Sequence, residues 1–359
     1  MAELKLREKS LDAALLESIG TALQDKSHNI IAVDLSDNAL EDEQGAQVFG
    51  YLASNELVQR LAMNDNELGD MAGVALAKLL ETNQVLQQLE LQGNAIFTVG
   101  VQALAEALPK NRSLQHLDLS HNQLGIGGAE LLSSGLHQSS LTSLNLSGNR
   151  ICGRGAGEVL RATRNTGVVF LDLARNEIGP QGLELMCAAL EDATISSLSL
   201  ANNRLQPEDA PMLCESCCKC EALQVLLLQQ NDLGLVGAQH LSEMLPKSKL
   251  TALDLTGNSI GDGGLGYLAA ALEKTRLAAL GLGHNSITDE GVKVFCAAKW
   301  GSLQSLELMG NAIGDSGAEL LKSSVVKEPQ LQVLDLLYNN LSSEVLEEIE
   351  ALIKERQTS

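Results

Sequence analysis

The sequence predicts an α/β solenoid, a horseshoe with a parallel sheet on its concave side and α-helices on its convex side. Three observations carry that expectation. The pattern L-x-x-L-x-L-x-x-N-x-L recurs twelve times, as in LQQLELQGNAI (86–96), LQHLDLSHNQL (114–124) and LTSLNLSGNRI (141–151). Its asparagines (Asn38, Asn66, Asn94, Asn122, Asn149, Asn176, Asn203, Asn231, Asn258, Asn285, Asn311 and Asn339) stand 26 to 28 residues apart. A fixed period of that size marks a stacked array, which can fill 359 residues without separate domains. Hydrophobic residues make up 45 % of the chain and aromatic residues 2 %, so the core must be thin layers of Leu, Ile, Val and Ala.

Each unit can be read in order. The L-x-L core alternates with period two, which is a short strand with leucines facing in and the intervening residues facing out. At the strand's end the Asn side chain can bond backbone groups leaving the sheet, so stacked copies predict a ladder through the core. Six residues after the Asn, repeats 3 to 11 carry Gly100, Gly128, Gly155, Gly182, Gly237, Gly264, Gly291 and Gly317, with Asp209 the one departure. A glycine there lets the helix start close to the sheet. Ten residues after the Asn the side chain is always apolar, from Val48 and Leu76 through Leu213 to Ile349, which marks the buried helical stripe. Because helices are thicker than strands, the stack must bend.

Terminal repeats need lids. The expected boundaries are an N-terminal helical cap at 1–29, an array at 30–341 and a C-terminal capping helix at 342–359, together one structural domain. Leu11, Leu15, Ile19 and Leu23 form the first lid's stripe, and Val345, Ile349 and Leu352 the second's.

The motif resembles the leucine-rich repeat. The long unit, with N-x-[LI]-G-x-x-G-A-x-x-L after the strand, is similar to its ribonuclease-inhibitor-like subclass. That resemblance implies a non-catalytic protein-binding scaffold, as in ribonuclease inhibitor, NOD-like receptor sensors and cytoskeletal and ciliary repeat proteins. It also implies a cytoplasmic location, cytoskeletal or ciliary, and compatibility with a place in a larger assembly. The alternative from a different class is a GTPase-activating protein resembling the Ran GTPase activator, with Arg150 or Arg204 in the arginine role. The acidic tail of that family is not matched by the closing KERQTS.

Composition bounds the partners. A formal charge of −21 opposes sequence-independent nucleic-acid binding and anionic membranes. Neither a secretory signal nor an 18-residue apolar run is found, which points to a soluble intracellular protein without membrane insertion. Seven cysteines without regular intervals fit a reducing compartment.

Two motifs could mislead. CESCCKC places Cys214, Cys217, Cys218 and Cys220 within seven residues, like two zinc half-sites. Aligned by repeat, however, Cys214 shares a small-residue column with Ala105, Ser133 and Cys187, and Cys217 shares a core column with Leu108 and Leu136. Gathering four sulfurs on one ion would unwind the helix, so the expected role is packing, with no metal. GDGGLG (261–266) satisfies G-x-G-x-x-G, yet Gly264 belongs to the repeat's own glycine column, so no dinucleotide cofactor is expected. The six histidines show no metal-binding pair; only His116 and His121 share a strand-turn face, and no nucleophile–base constellation stands out.

The outward residues of the strands and turns include twelve acids (Asp34, Asp37, Asp65, Glu67, Glu90, Asp118, Asp172, Glu177, Asp232, Asp254, Glu307, Asp335) against Arg60, Arg150, Arg175 and Arg204, with no lysine. Such a face would attract a partner with a basic surface. Anchors there would be Phe170, Val225 and Leu227, with Arg150, Arg175 and Arg204 on the same or adjoining repeats, and Asp118, Asp172 and Asp254 as charged contacts. A second candidate group is Met309, Val333, Leu337 and Tyr338. Trp300, in a helix-to-strand return, reads as packing.

Overall fold

The computed structural model describes residues 2–164 and 166–357. The chain divides into two compact units, Met1–Glu177 with Ala193–Ile195, and Ile178–Asp192 with Ser196–Ser359.

In the first unit, parallel strands β1 (Ala2–Lys5), β2 (Ile30–Asp34), β3 (Arg60–Ala62), β4 (Gln88–Glu90), β5 (His116–Asp118), β6 (Ser143–Asn145) and β7 (Phe170–Asp172) pair in sequence order. Register is uniform from β2 onward. Val33, Leu61, Leu89, Leu117, Leu144 and Leu171 form one buried row, and Asp34, Ala62, Glu90, Asp118, Asn145 and Asp172 the row beside it. The helices are α1 (Ala13–Gln24), α2 (Asp42–Leu52), α3 (Asp70–Thr82), α4 (Thr98–Ala107), α5 (Gly125–Leu136) and α6 (Cys152–Ala162), each packed on the next.

The second unit repeats the plan with β8 (Ser197–Ser199), β9 (Val225–Leu227), β10 (Ala252–Asp254), β11 (Ala279–Gly281), β12 (Ser305–Glu307) and β13 (Val333–Asp335). Its helices are α7 (Gly179–Leu190), α8 (Ala210–Lys219), α9 (Gly234–Met244), α10 (Gly261–Leu272), α11 (Asp289–Cys296), α12 (Asp315–Lys327) and α13 (Ser343–Gln357).

The layering follows the sequence period. All twelve apolar residues that stand ten after their Asn are buried, Val48 through Ile349. The asparagine ladder forms as well. Asn94 Nδ2 donates to the Met63, Leu91 and Gln92 carbonyls at 3.0, 3.0 and 3.2 Å, while its Oδ1 accepts the Leu68 N–H at 3.1 Å. The glycine column has a different neighbour from the one expected. A Cβ on Gly264 would sit 2.6 Å from Ile260 Cγ2 and 3.0 Å from Ala238 Cβ, so the close approach is to its own turn and the preceding helix. In repeat 7, Asp209 replaces the glycine and closes the 3₁₀ turn Pro207–Asp209, its carboxylate accepting the Gln206 N–H at 2.8 Å.

Both lids differ slightly from expectation. Leu16 takes the buried place beside Ile19 and Leu23, leaving Leu15 half-buried. Ahead of that helix, β1 extends the sheet by a strand that the repeat pattern does not announce. In α13, Ile349 and Ile353 are buried while Val345 and Leu352 are half-buried. Arg356 Nη1 donates to the Glu328 carbonyl at 2.9 Å, covering acceptors at the end of α12.

Candidate functional site

The face of the strands turned away from the helices is where outward side chains gather. In the first unit, strand register stacks Gln88, His116, Ser143 and Phe170 in one row, with Glu90, Asp118 and Asn145 in another. These side chains line an open cavity of about 280 Å³. Phe170 and Asp118, both expected contacts, therefore meet in one place.

The two carboxylates of this cavity are not equivalent. Glu90 accepts from Arg60 Nε at 3.0 Å, Gln88 Nε2 at 2.7 Å and Asn64 Nδ2 at 3.2 Å, so a cation already balances its charge. Burial of that guanidinium is only partial, and the bond to Glu90 holds its pKa up. Asp118 accepts the Ser120 N–H at 2.8 Å and Asn145 Nδ2 at 2.8 Å, both of them dipoles. Its charge faces the cavity, which the Phe170 ring also lines from two strands away.

Part of the acid column has a structural task. Asp34, Asp118, Asp172, Asp254 and Asp335 each accept the backbone N–H two residues on, at 3.1, 2.8, 2.8, 2.9 and 2.9 Å. An Asx turn of this kind satisfies a donor where the strand leaves the sheet. These acids are thus selected by the backbone first, and their field comes with it.

The arginines stand apart from the cavity. Arg150 and Arg175 occupy left-handed turns (φ 57° and 55°) just before the next helix or just before the ladder Asn, and neither lines it. Asp172, though on β7, does not line it either. In the second unit, Leu227 lies in register with Asp254, and Val225 with Ala252, both leucine and valine being half-buried. Arg204 is again in a left-handed turn (φ 61°). Tyr338 is 78 % exposed, and Val333 and Leu337 are exposed too, so the last helix leaves these three uncovered, while Met309 is half-buried. Along the same face, Asp254, Glu307 and Asp335 share a row interrupted by Gly281. Partial burial, then the charges of Asp254 and Asp335, push the Glu307 carboxyl up.

Glu90 appears in the sequence reading only as one acid of twelve, and Gln88, Ser143 and Asn145 are not singled out. Comparing outward columns across consecutive repeats, without weighting by residue type, would have found them.

The cysteine run resolves by column. Cys214 and Cys217 are buried in α8, and burial pushes the Cys214 thiol up to about 12. Cys218 is half-buried. Cys220 stands seventeen after its Asn, the column where Asn55, Asn83 and Asn111 tie the return loops together. Asn83 Oδ1 accepts the Val85 and Leu86 N–H groups at 2.9 Å, and the Cys220 sulfur is held by the corresponding N–H groups of Ala222 and Leu223. Trp300 is buried against Phe295, ring centroids 5.0 Å apart, with its Nε1 donating to the Phe295 carbonyl. No helix among the described residues is long and apolar enough to cross a membrane.

Comparison with known proteins agrees with this architecture. A sequence family described as a leucine rich repeat matches residues 82–105, 110–133, 137–159, 164–187, 247–269, 277–296 and 302–322. Among curated proteins no sequence matches. Solved structures similar to the chain include an internalin (InlF) from Listeria monocytogenes str. 4b F2365, with 19 % identity over 94 % of this chain and 93 % of that one, TM-score 0.47. A chain from the yeast Rad7–Elc1 complex covers 95 % of this chain and 81 % of its own length at 18 % identity, TM-score 0.56. A third, from the TLR13–ssRNA13 complex, has 18 % identity over 87 % of this chain, which spans only 50 % of it, TM-score 0.52. At these identities the likeness is one of fold. With the matched repeats, the strand-and-helix units and the asparagine ladder all in place, the fold of this chain is a leucine-rich repeat solenoid.

Proposed function

We propose that the chain is a non-catalytic scaffold that binds a protein partner through the outward face of its strands, and that the partner presents a basic side chain to the cavity of the first unit. The single observation behind this reading is that Asp118 and Phe170 line one cavity. A carboxylate satisfied only by dipoles favours a lysine or arginine, whose charged head gains an ion pair there while the aromatic ring on the same wall offers apolar contact to its stem. Excess acid on the same face would speed the encounter. The long repeat with a full helix in most units supports the ribonuclease-inhibitor-like subclass. A cytoplasmic setting, cytoskeletal or ciliary, goes with the same reading.

The test is quantitative capture from the native source followed by affinity measurement on the purified partner. Phe170→Ala and Asp118→Asn should each weaken binding at least about tenfold, the effect of losing roughly 1.4 kcal/mol. The loss in Asp118→Asn should shrink as salt rises. Unchanged affinity in both variants, with native melting curves, would refute this placement of the contact.

A further inference from the structure

The helical side of the second unit carries a feature that stacking does not require. Nine residues after each ladder Asn stand Leu185, Met212, His240, Tyr267, Val294 and Leu320, one on each of α7 to α12. The five apolar members are 39 to 52 % exposed. In the first unit the same column holds Gln47, Ala75, Ala103, Leu131 and Glu158. A position that accepts Gln, Ala and Glu is not fixed by core packing, so five bulky apolar side chains on six successive helices, with His240 the one polar member, need another explanation. Contiguous exposed apolar surface of this kind marks an interaction site.

The stripe also has a socket. Between α8 and α9 lies a cavity of about 330 Å³ lined by His240 of the stripe with Pro211, Cys214, Cys218, Glu215, Glu243 and Lys247 among others. Gly266, in α10, leaves Val294 uncovered: a Cβ there would already touch Val294 Cγ1 at 3.5 Å.

We infer that this stripe is a second docking surface, and that its occupant is an amphipathic α-helix of a partner protein with apolar residues seven apart and basic flanks. The spacing argument is geometric. Packed helices lie about 8–10 Å apart, and seven residues of a helix rise about 10 Å. A helix laid across α8 to α12 therefore meets one host side chain with every second turn. Charge selects the flanks. Glu184, Glu215, Glu243, Glu290 and Glu319 are exposed around the stripe. Three of the nearby lysines are already engaged, Lys219 with Glu191 and Glu215, Lys293 with Glu290, and Lys322 with Glu319; Lys247 lines the socket itself, where Glu215 and Glu243 outnumber it. A second copy of this chain would bring the same acidic rim against itself, and an anionic membrane would be repelled likewise.

The experiment uses the full chain and a synthetic peptide of about 22 residues, roughly 33 Å as a helix, with leucine at every seventh position and lysine on both flanks. A control peptide of the same composition has leucine at every fifth position. Fluorescence anisotropy should show saturable binding of the first peptide and at least about tenfold weaker binding of the second. Val294→Asp and the milder Tyr267→Ser should each lower affinity at least about fivefold. Ala103→Asp, in the same column of the first unit, and Phe170→Ala, on the strand face, should leave it unchanged. The inference is overturned by equal binding of the two peptides or by indifference to both stripe variants. It is overturned too if sedimentation shows a wild-type dimer that Val294→Asp disperses, or if vesicles of phosphatidylserine capture the wild type and not the variant.

Discussion

Asn149 Oδ1 accepts the backbone N–H of Asn122 at 3.0 Å, one full repeat earlier in the chain. The same oxygen takes the Leu124 N–H at 3.2 Å, while Nδ2 donates to the Leu119 and Leu146 carbonyls at 2.8 and 3.0 Å. One buried side chain thus satisfies the backbone of two adjacent repeats, and its neighbours do the same along each unit. Each unmet buried group costs about 1–3 kcal/mol. Asn149→Ala should therefore lose at least about 3 kcal/mol in urea unfolding. Asn339, half-buried beside the last helix, should lose clearly less on the same substitution. Equal losses would mean that the ladder is not what joins the repeats.

Two glycines of similar sequence setting should respond with opposite signs. Gly127, in α5, has open space around its missing Cβ, so Gly127→Ala gains helix propensity, up to about 1 kcal/mol. Gly264→Ala forces a methyl to within 2.6 Å of Ile260 Cγ2, and overpacking of that kind costs about 1–3 kcal/mol. Thermal unfolding should show Tm rising in the first variant and falling in the second. A rise in both would show that Ile260 and Ala238 can move aside.

Much of this was legible because repeats let one position be read twelve times. The leucine alternation, the ladder asparagines and the buried residue ten after each Asn all follow from period alone, and Trp300 was correctly read as packing. What escaped was of two kinds. Asp34 and Asp118 look like free surface acids, but their i→i+2 bonds to backbone N–H groups depend on the backbone path at the strand's end. The loop ladder of Asn55, Asn83 and Asn111 fades into Ser139, Thr166, Ala193 and Cys220, so residue identity hides the column. Of the expected contacts, Phe170 and Asp118 share a cavity. Arg150, Arg175 and Arg204 instead sit in left-handed turns, which sequence spacing along a strand does not reveal.

The thiols should report burial directly. Burial pushes Cys187 up to about 11, Cys214 up to about 12 and Cys217 well above its ordinary value. At pH 8 a thiol near 12 is ionised to only about one part in 10⁴, and the thiolate is the reactive form. Iodoacetamide followed by mass spectrometry should label the half-exposed Cys152 first and leave Cys214 and Cys217 unmodified until urea unfolds the chain. A linkage follows from the same shifts. The folded state keeps these protons above the unfolded thiol range near 8.5, so stability is full below that pH and declines as pH rises toward 11 to 12. Early labelling of Cys217 in native protein would contradict the packing assigned to it.

Glu307 offers the reverse test at low pH. Its carboxyl is pushed up by partial burial and by Asp254 and Asp335 in the same row, across the gap left by Gly281. A folded-state pKa above the unfolded one means that ionisation opposes folding, and this cost is present above the unfolded carboxylate value near 4.3. Glu307→Gln keeps the shape and removes the charge, so it should raise Tm at pH 7. The gain should narrow as pH falls through the carboxylate range, where the native side chain takes up its proton. It should also narrow in high salt at pH 7, because this side chain is mostly exposed and screening weakens its repulsion from Asp254 and Asp335. A Glu307→Gln variant with an unchanged or lower Tm at pH 7 would show that the row is not under electrostatic strain. Its acids would then offer a basic partner no more than any solvated carboxylates would.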